Sequence, residues 1–396
     1  MRGFTIAALA ATAIGSGAAL ADDHEVKIGV LLGFTGPIES LTPAMAAGAE
    51  MAMKEVTDSA MLLGGKALVP VRADSTCVDS AAASAAAERL VTAEGVAAIM
   101  GADCSGVTTA VLQNVAVPNG IVMISPSATS PALSAIEDGG LFFRTAPSDA
   151  RQGAIAAEIL REKGVEEIAL TYTNNDYGKG LAEAIAQNFE ALGGTVTINT
   201  PHEDGKADYS AEVGSLAAAG GDVLVVAGYL DQGGRGIVQG AIDTGAFDVF
   251  YLPDGMVGDS LPAAIGSALD GSYGAAPGST GENATTFEGL AVSAGFEAGP
   301  YAGESYDAAA LIALAMQKAG STKASDFAAA VLDVANAPGE PIGPGELKRA
   351  LEIIGAGGEV DYQGATNVEL IGPGESAGSY RQIEIRDGAI ATVGYR

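Results

Sequence analysis

"VKIGVLL" (Val26–Leu32), followed by "PAMAAGAEMAMKEV" (Pro43–Val56), decides how this chain reads. The first stretch is a short run, apolar except for Lys27, as expected of a strand buried on both faces. The second spaces alanine and methionine along a helix. The pairing recurs: "ALVPVRA" (Ala67–Ala73) leads into "SAAASAAAERLVTAEG" (Ser80–Gly95), and "VAAIMG" (Val96–Gly101) leads through another helical stretch to "GIVMIS" (Gly120–Ser125). Buried strands alternating with helices predict βαβ units and a parallel sheet, so the fold class is α/β.

A second series begins near Ala146. "EEIALTY" (Glu166–Tyr172) and "DVLVVAG" (Asp222–Gly228) are its strands, and "LAEAIAQNFEAL" between them places Leu181, Ile185, Phe189 and Leu192 on one helical face before Gly193 stops the helix. Two similar doubly wound sandwiches follow, with the first boundary at "FFRTAPSD" (Phe142–Asp149). Further on, "GSYGAAPG" (Gly271–Gly278) is a strand followed by helices. The glycine-rich "GAGGEVDYQGATNVELIGPGESAG" (Gly355–Gly378) is either another pair of strands or a linker. The end of the chain, "GSYRQIEIRDGAIATVGY" (Gly378–Tyr395), alternates like an antiparallel hairpin turning at Asp387 and Gly388.

The first residues carry an address. Arg2, the apolar "FTIAALAATAI" (Phe4–Ile14) and the small residues "ALA" (Ala19–Ala21) fit a secretory signal peptide cleaved after Ala21, which predicts export to the periplasm. Gly15, Ser16 and Gly17 interrupt the run well short of the roughly 20 apolar residues that a membrane span needs. The remaining 375 residues exceed what one core usually accommodates, so two domains are expected. The full chain carries a net charge of −29; that surplus of acid argues against nucleic acid or anionic membranes as partners, since both call for basic patches.

Open α/β sheets bind ligands beyond the carboxyl ends of their strands. The loops there are "GFTGPIES", "DSTCVDS", "GADCSGVTT", "SPSATSP", "TNNDYGKG", "GYLDQGG" and "LPDGMVGDS". They argue against an enzyme. The chain has two histidines, His24 near its start and His202 in a polar loop, so the usual general base is scarce. Ser105 fails as a nucleophile elbow because Asp103 and Val107 stand where glycines are required. Metalloprotease, Walker A and dinucleotide motifs are absent, as are zinc ligands at useful spacing, and no cofactor is expected. Ser105 and Thr129 are then either ligand partners or helix caps. The two cysteines, Cys77 and Cys104, fall just past two strands on one rim; in an exported protein they form a bridge or remain as two buried thiols.

Taken together, "VKIGVLLGFTGPIESLTPAMAAGAEMA", "DSTCVDSAAA", "GADCSGVTT", "SPSATSPAL" and "NDYGKGLA" resemble the leucine/isoleucine/valine-binding protein family, the type I periplasmic solute-binding proteins of amino-acid ABC importers. The similarity runs from about Val26 to Arg396 and is strongest over the first 260 residues. It implies two doubly wound parallel-sheet lobes joined by three crossovers and closing on a ligand: residues 22–143 plus 272–376, and residues 144–271 plus 377–396. It also implies a disulfide between Cys77 and Cys104. Ser105 and Thr129, with the backbone of Ser127 and Ala128, match positions that hold a ligand's α-carboxylate and ammonium. Tyr177 and Tyr229 match aromatic contacts from the second lobe. Asp254 stands where the family carries a glutamate facing the ammonium, although "PDG" (Pro253–Gly255) is also a turn signature. Leu41 replaces an aromatic that often lines the side-chain pocket. The expected ligand is a small amino acid, branched-chain first, with a small amide or carboxylate as the alternative. The expected partner is the membrane permease of an ABC importer, or alternatively a membrane receptor for which the chain is the sensing module.

Overall fold

The computed structural model describes residues 24–396. The leader and its cleavage after Ala21 lie outside the described residues. The apolar runs become two parallel series of strands. β1 (Glu25–Leu32), β2 (Ala67–Asp74), β3 (Ala98–Gly101), β4 (Val122–Ser125) and β5 (Phe142–Arg144) form the first; β6 (Glu167–Thr173), β7 (Thr195–His202), β8 (Val223–Ala227), β9 (Phe250–Leu252) and β10 (Tyr273–Pro277) form the second. Every residue of β3, β4 and β8 is buried, which explains why these strands show no polar alternation.

The later strands are β11 (Glu340–Ile342), β12 (Val360–Tyr362), β13 (Leu370–Ile371), β14 (Glu375–Ser376), β15 (Tyr380–Arg386) and β16 (Ala389–Tyr395). The sheets run β13-β14-β5-β4-β3-β1-β2 and β16-β15-β10-β9-β8-β6-β7, with β11 and β12 as a separate pair. Each parallel core thus has the same doubly wound order, and each gains two edge strands from the returning chain. β15 runs antiparallel to β10, so the sheets are mixed. The glycine-rich segment supplies short strands to the first sheet. The terminal hairpin turns where Asp387 and Gly388 both have positive φ, 54° and 70°, as a tight two-residue turn demands.

The chain crosses between the sheets after β5, β10 and β14. This corrects the boundary expected at residues 271/272. β10 pairs with β9 (Tyr273 with Tyr251, Gly274 with Leu252) and therefore belongs to the second lobe, and Arg144 completes β5 in the first. The long apolar helix Ala302–Ala319 then returns to the first lobe and packs on the helix Thr42–Ser59. Gly48 permits this approach, since a Cβ there would stand 2.2 Å from the Ala302 carbonyl oxygen. The helix Asp176–Ala191 starts where Asn175 accepts the Gly178 amide at 3.0 Å, and it buries Leu181, Ile185 and Phe189. Leu192 departs from the expected face. It falls just past the last helical residue and is 48% exposed.

Candidate functional site

The carboxyl ends of both strand series point into the cleft between the lobes. On the first lobe the loops are laced together. Cys77 and Cys104 are disulfide-bonded and tie the loop after β2 to that after β3. Asp103, fully buried, accepts the Gly33 amide at 2.6 Å and the Ser75 hydroxyl at 2.7 Å, which brings in the loop after β1. Burial pushes its carboxyl up, and these hydrogen bonds oppose that. Ser105 accepts the Ser130 amide at 3.1 Å and so joins the loops after β3 and β4. It is not the cap of its helix, because Cys104 occupies that position. Thr129 is not a cap either: Ser130 caps the turn that follows.

Beneath these loops lies Arg144, itself buried. It donates to the carbonyls of Ala128 and Ser130, both at 2.9 Å, and its charge is matched by Glu375 at 2.5 Å. Ala128 also donates its amide to the Ser125 hydroxyl at 3.0 Å, and Ser127 donates its hydroxyl to the Asp103 carbonyl at 3.0 Å. The loop is therefore braced by hydrogen bonds within its own lobe.

The second lobe presents two tyrosines and an acid. Tyr177 and Tyr229 stack with ring centroids 5.1 Å apart and planes 16° apart. Tyr177 donates to Asp254 Oδ1 at 2.7 Å and accepts the Gly255 amide at 3.1 Å. The other Asp254 oxygen accepts the hydroxyl of Tyr301, which comes from the first lobe. Asp254 is thus more than a turn residue. Burial raises its pKa, opposed by the donors Tyr301 and Tyr177.

Behind it stands a second buried acid. Gln152 accepts the Asp254 amide at 3.1 Å through Oε1 and donates to Asp149 Oδ1 at 3.1 Å through Nε2. Burial, then the charge of Asp254, hold the Asp149 carboxyl well above the usual range. The Thr129 hydroxyl lies beside Asp149 and favours its ionised form, but no bond of ordinary geometry joins them, and Thr129 Oγ1 and Asp149 Oδ2 both remain unpartnered.

Between these groups is a cavity of about 20 Å³, room for about one water. The structure brings Ser105, Ser127, Tyr177, Tyr229 and Asp254 to its wall, while Ala128 and Thr129 do not line it. Ile38 and Leu41 supply aliphatic surface, and the Cys104 end of the disulfide also lines it. Around the rim the lobes touch. The Asp231 amide donates to the Pro37 carbonyl at 3.0 Å, and the Asp231 carboxylate accepts the Ser40 amide at 2.9 Å and the Ser260 hydroxyl at 2.7 Å. A larger groove of about 1050 Å³ lies elsewhere on the second lobe, beside Tyr209 and Arg235, and contains none of the residues singled out from sequence.

Sequence reasoning missed Tyr301, Asp149 and Gln152. Tyr301 precedes a helix and follows no strand, so the rule of loops after strands passes over it. Asp149 reads as an acid in a first helical turn, a favourable place for one on local grounds alone.

Comparison with other proteins agrees with this architecture. Residues 25–350 match the family described as periplasmic binding protein. The Leu/Ile/Val-binding protein homolog 1 of Brucella melitensis biotype 1 is 31% identical over 334 residues, covering 83% of this chain and 87% of its own. In fold, the chain is similar to a leucine-binding protein from Thermotoga maritima (TM-score 0.77, 22% identity, 93% of this chain and 98% of that one). It is also similar to an ABC transporter solute-binding protein from R. palustris solved in complex with 4-hydroxybenzoate (TM-score 0.75, 18% identity, 94% and 97%). The paired α/β lobes, the cleft between them and these matches make one finding: the chain belongs to the Leu/Ile/Val-binding family of periplasmic binding proteins.

Proposed function

We propose that the chain is an exported, non-enzymatic solute-binding protein that captures a small amino acid between its lobes, branched-chain first, and delivers it to an ABC importer. One observation carries the ligand class: two buried acids, Asp254 and Asp149, share the cleft wall and its backing, and Arg144, whose charge reaches Asp149, is already matched by Glu375. Such a site lacks a positive charge that a ligand ammonium would supply. A benzoate, which brings another negative charge, fits it poorly. Ser105 supplies a hydroxyl for the ligand carboxylate, with the Ser127 backbone beside it and Thr129 near; Tyr177 and Tyr229 cover the ligand's backbone face. Ile38 and Leu41 offer aliphatic surface to a branched side chain. Leucine does not fit a cavity of about 20 Å³, so the lobes part to admit it and close around it.

A thermal-shift screen tests this reading with leucine, isoleucine, valine, alanine, acetamide and 4-hydroxybenzoate. A ligand at 100 times its dissociation constant stabilises by about 2.7 kcal/mol, which a melt resolves. Shifts with amino acids and none with 4-hydroxybenzoate support it. The reverse pattern overturns it. Loss of leucine uptake in cells lacking the protein distinguishes delivery to an importer from the sensing role, which would abolish a response to the ligand and leave uptake intact.

A further inference from the structure

Asp149 has no part in the ligand contacts described above, yet it is a fully buried acid. It opens the helix Asp149–Glu162, directly after the first crossover, and its amide donates to the Thr129 carbonyl of the opposite lobe at 2.9 Å. The Gln152 side chain that donates to Asp149 Oδ1 also accepts the backbone amide of Asp254, so the two acidic residues meet on one side chain. Asp149 Oδ2 makes no hydrogen bond of ordinary geometry, and the Thr129 hydroxyl beside the carboxyl is the neutral group that favours its ionised form.

The surrounding charges leave the pair uncompensated. On the first lobe, Arg144 approaches Asp149, but its guanidinium is spent on the carbonyls of Ala128 and Ser130, on Ser134 and on Glu375. From the second lobe Tyr177 faces Asp254, and from the first Tyr301 does; both are neutral donors. Tyr380 of β15 lies nearby and turns its hydroxyl to the Ser148 carbonyl at 3.3 Å. Two carboxylates in one water-poor site do not both ionise easily.

We propose that Asp149 is a second acidic determinant of ligand choice: with Asp254 it holds one proton in the closed, ligand-free protein, and an arriving ammonium group takes that proton's place. The exchange balances. The carboxyl O–H bond breaks, its electron pair stays on oxygen, the proton leaves to solvent, and the ligand brings in one positive charge. Asp149 acts through Asp254 and does not touch the ligand; it is a positioning residue for charge. Its consequence is a preference for amines over neutral isosteres that steepens with pH. The inference rests on the amino-acid reading of the cleft.

Calorimetry with L-leucine, run at one pH in two buffers of different ionisation enthalpy and then across pH, tests it. Wild type should release a substantial fraction of a proton per leucine bound, and affinity should rise with pH by up to roughly tenfold per unit while the pair is protonated. Asp149→Asn keeps the oxygen that Gln152 bonds and removes the exchangeable proton. It should still bind leucine, with proton release and pH slope much reduced. Glu304, another buried acid near the hinge, titrates in both proteins, so the difference between them isolates Asp149. A purely structural role for Asp149 would weaken binding at every pH and leave the slope unchanged; that result overturns the proposal. So does leucine binding to wild type without proton release. If leucine and every other amino acid fail to bind, the amino-acid reading falls and this inference with it.

Discussion

Replacing Asp254 by asparagine separates the ligand role proposed for this residue from its part in the fold. In the structure its carboxylate accepts Tyr177 on one oxygen and Tyr301 on the other, and it is 2% exposed. Truncating one member of a buried, hydrogen-bonded charge pair costs about 2 to 5 kcal/mol, a loss of roughly 30-fold to several thousand-fold in affinity. Stability of the free protein should respond differently. Asparagine keeps one acceptor for one tyrosine and forfeits part of a bond to the other, a cost of about 1 to 2 kcal/mol. Against this, burial raises the Asp254 pKa, so the folded state disfavours the charge that asparagine removes. The two effects oppose each other, and we expect the unliganded melt to move by less than about 1 kcal/mol. Calorimetry with the best amino acid, paired with melts of the ligand-free proteins, makes the comparison. An affinity change below about threefold, against the loss expected for a buried charge pair, would refute the reasoning. So would stability falling as far as binding, because Asp254 would then be a structural latch only.

Other perturbations have equally definite expectations. Tyr301→Phe removes a hydroxyl that crosses between the lobes, so small-angle scattering should show a more open ligand-free protein and calorimetry a weaker affinity; an unchanged radius and affinity would dismiss the latch. Changing both Cys77 and Cys104 to serine opens a loop of 27 residues and should cost about 3.5 kcal/mol on the chain-entropy estimate, measured by urea unfolding. His202 is buried neutral with its pKa lowered to about 4, so the stability it contributes is present above about pH 6.5 and is lost as pH falls toward 4, by about 3 kcal/mol; His202→Gln should flatten that limb of a stability profile. Glu304 shows the opposite sign. Burial raises it to about 7, so its contribution is full below about pH 4.5 and lost as pH rises through 7; Glu304→Gln should outlast wild type at pH 8 by roughly 3 kcal/mol and lose that advantage in acid.

The sequence reveals the strands more readily than the site, and the reason is physical. A strand buried on both faces must be apolar at every position, so β3, β4 and β8 declare themselves within a few residues. Which sheet a strand joins is another matter. "GSYGAAPG" pairs as well with one lobe as with the other on local grounds, and only the register with β9 and β15 assigns β10 to the second. The loops that carry Ser105, Ser127, Tyr177 and Tyr229 are legible because they follow strands, where an open α/β sheet exposes its loops, and the family resemblance singles out the residues within them. Asp254 was half legible. Its carboxylate reads as a turn or as an ion partner until Tyr301, 47 residues away and on the other lobe, is seen to close over it. Asp149 shows the limit most sharply: an acid in a first helical turn is unremarkable when solvated, and burial between the lobes, with the charge of Asp254, raises its pKa. Desolvation is a property of the assembled cleft, so the residues that set its electrostatics are those for which local sequence carries the weakest signal.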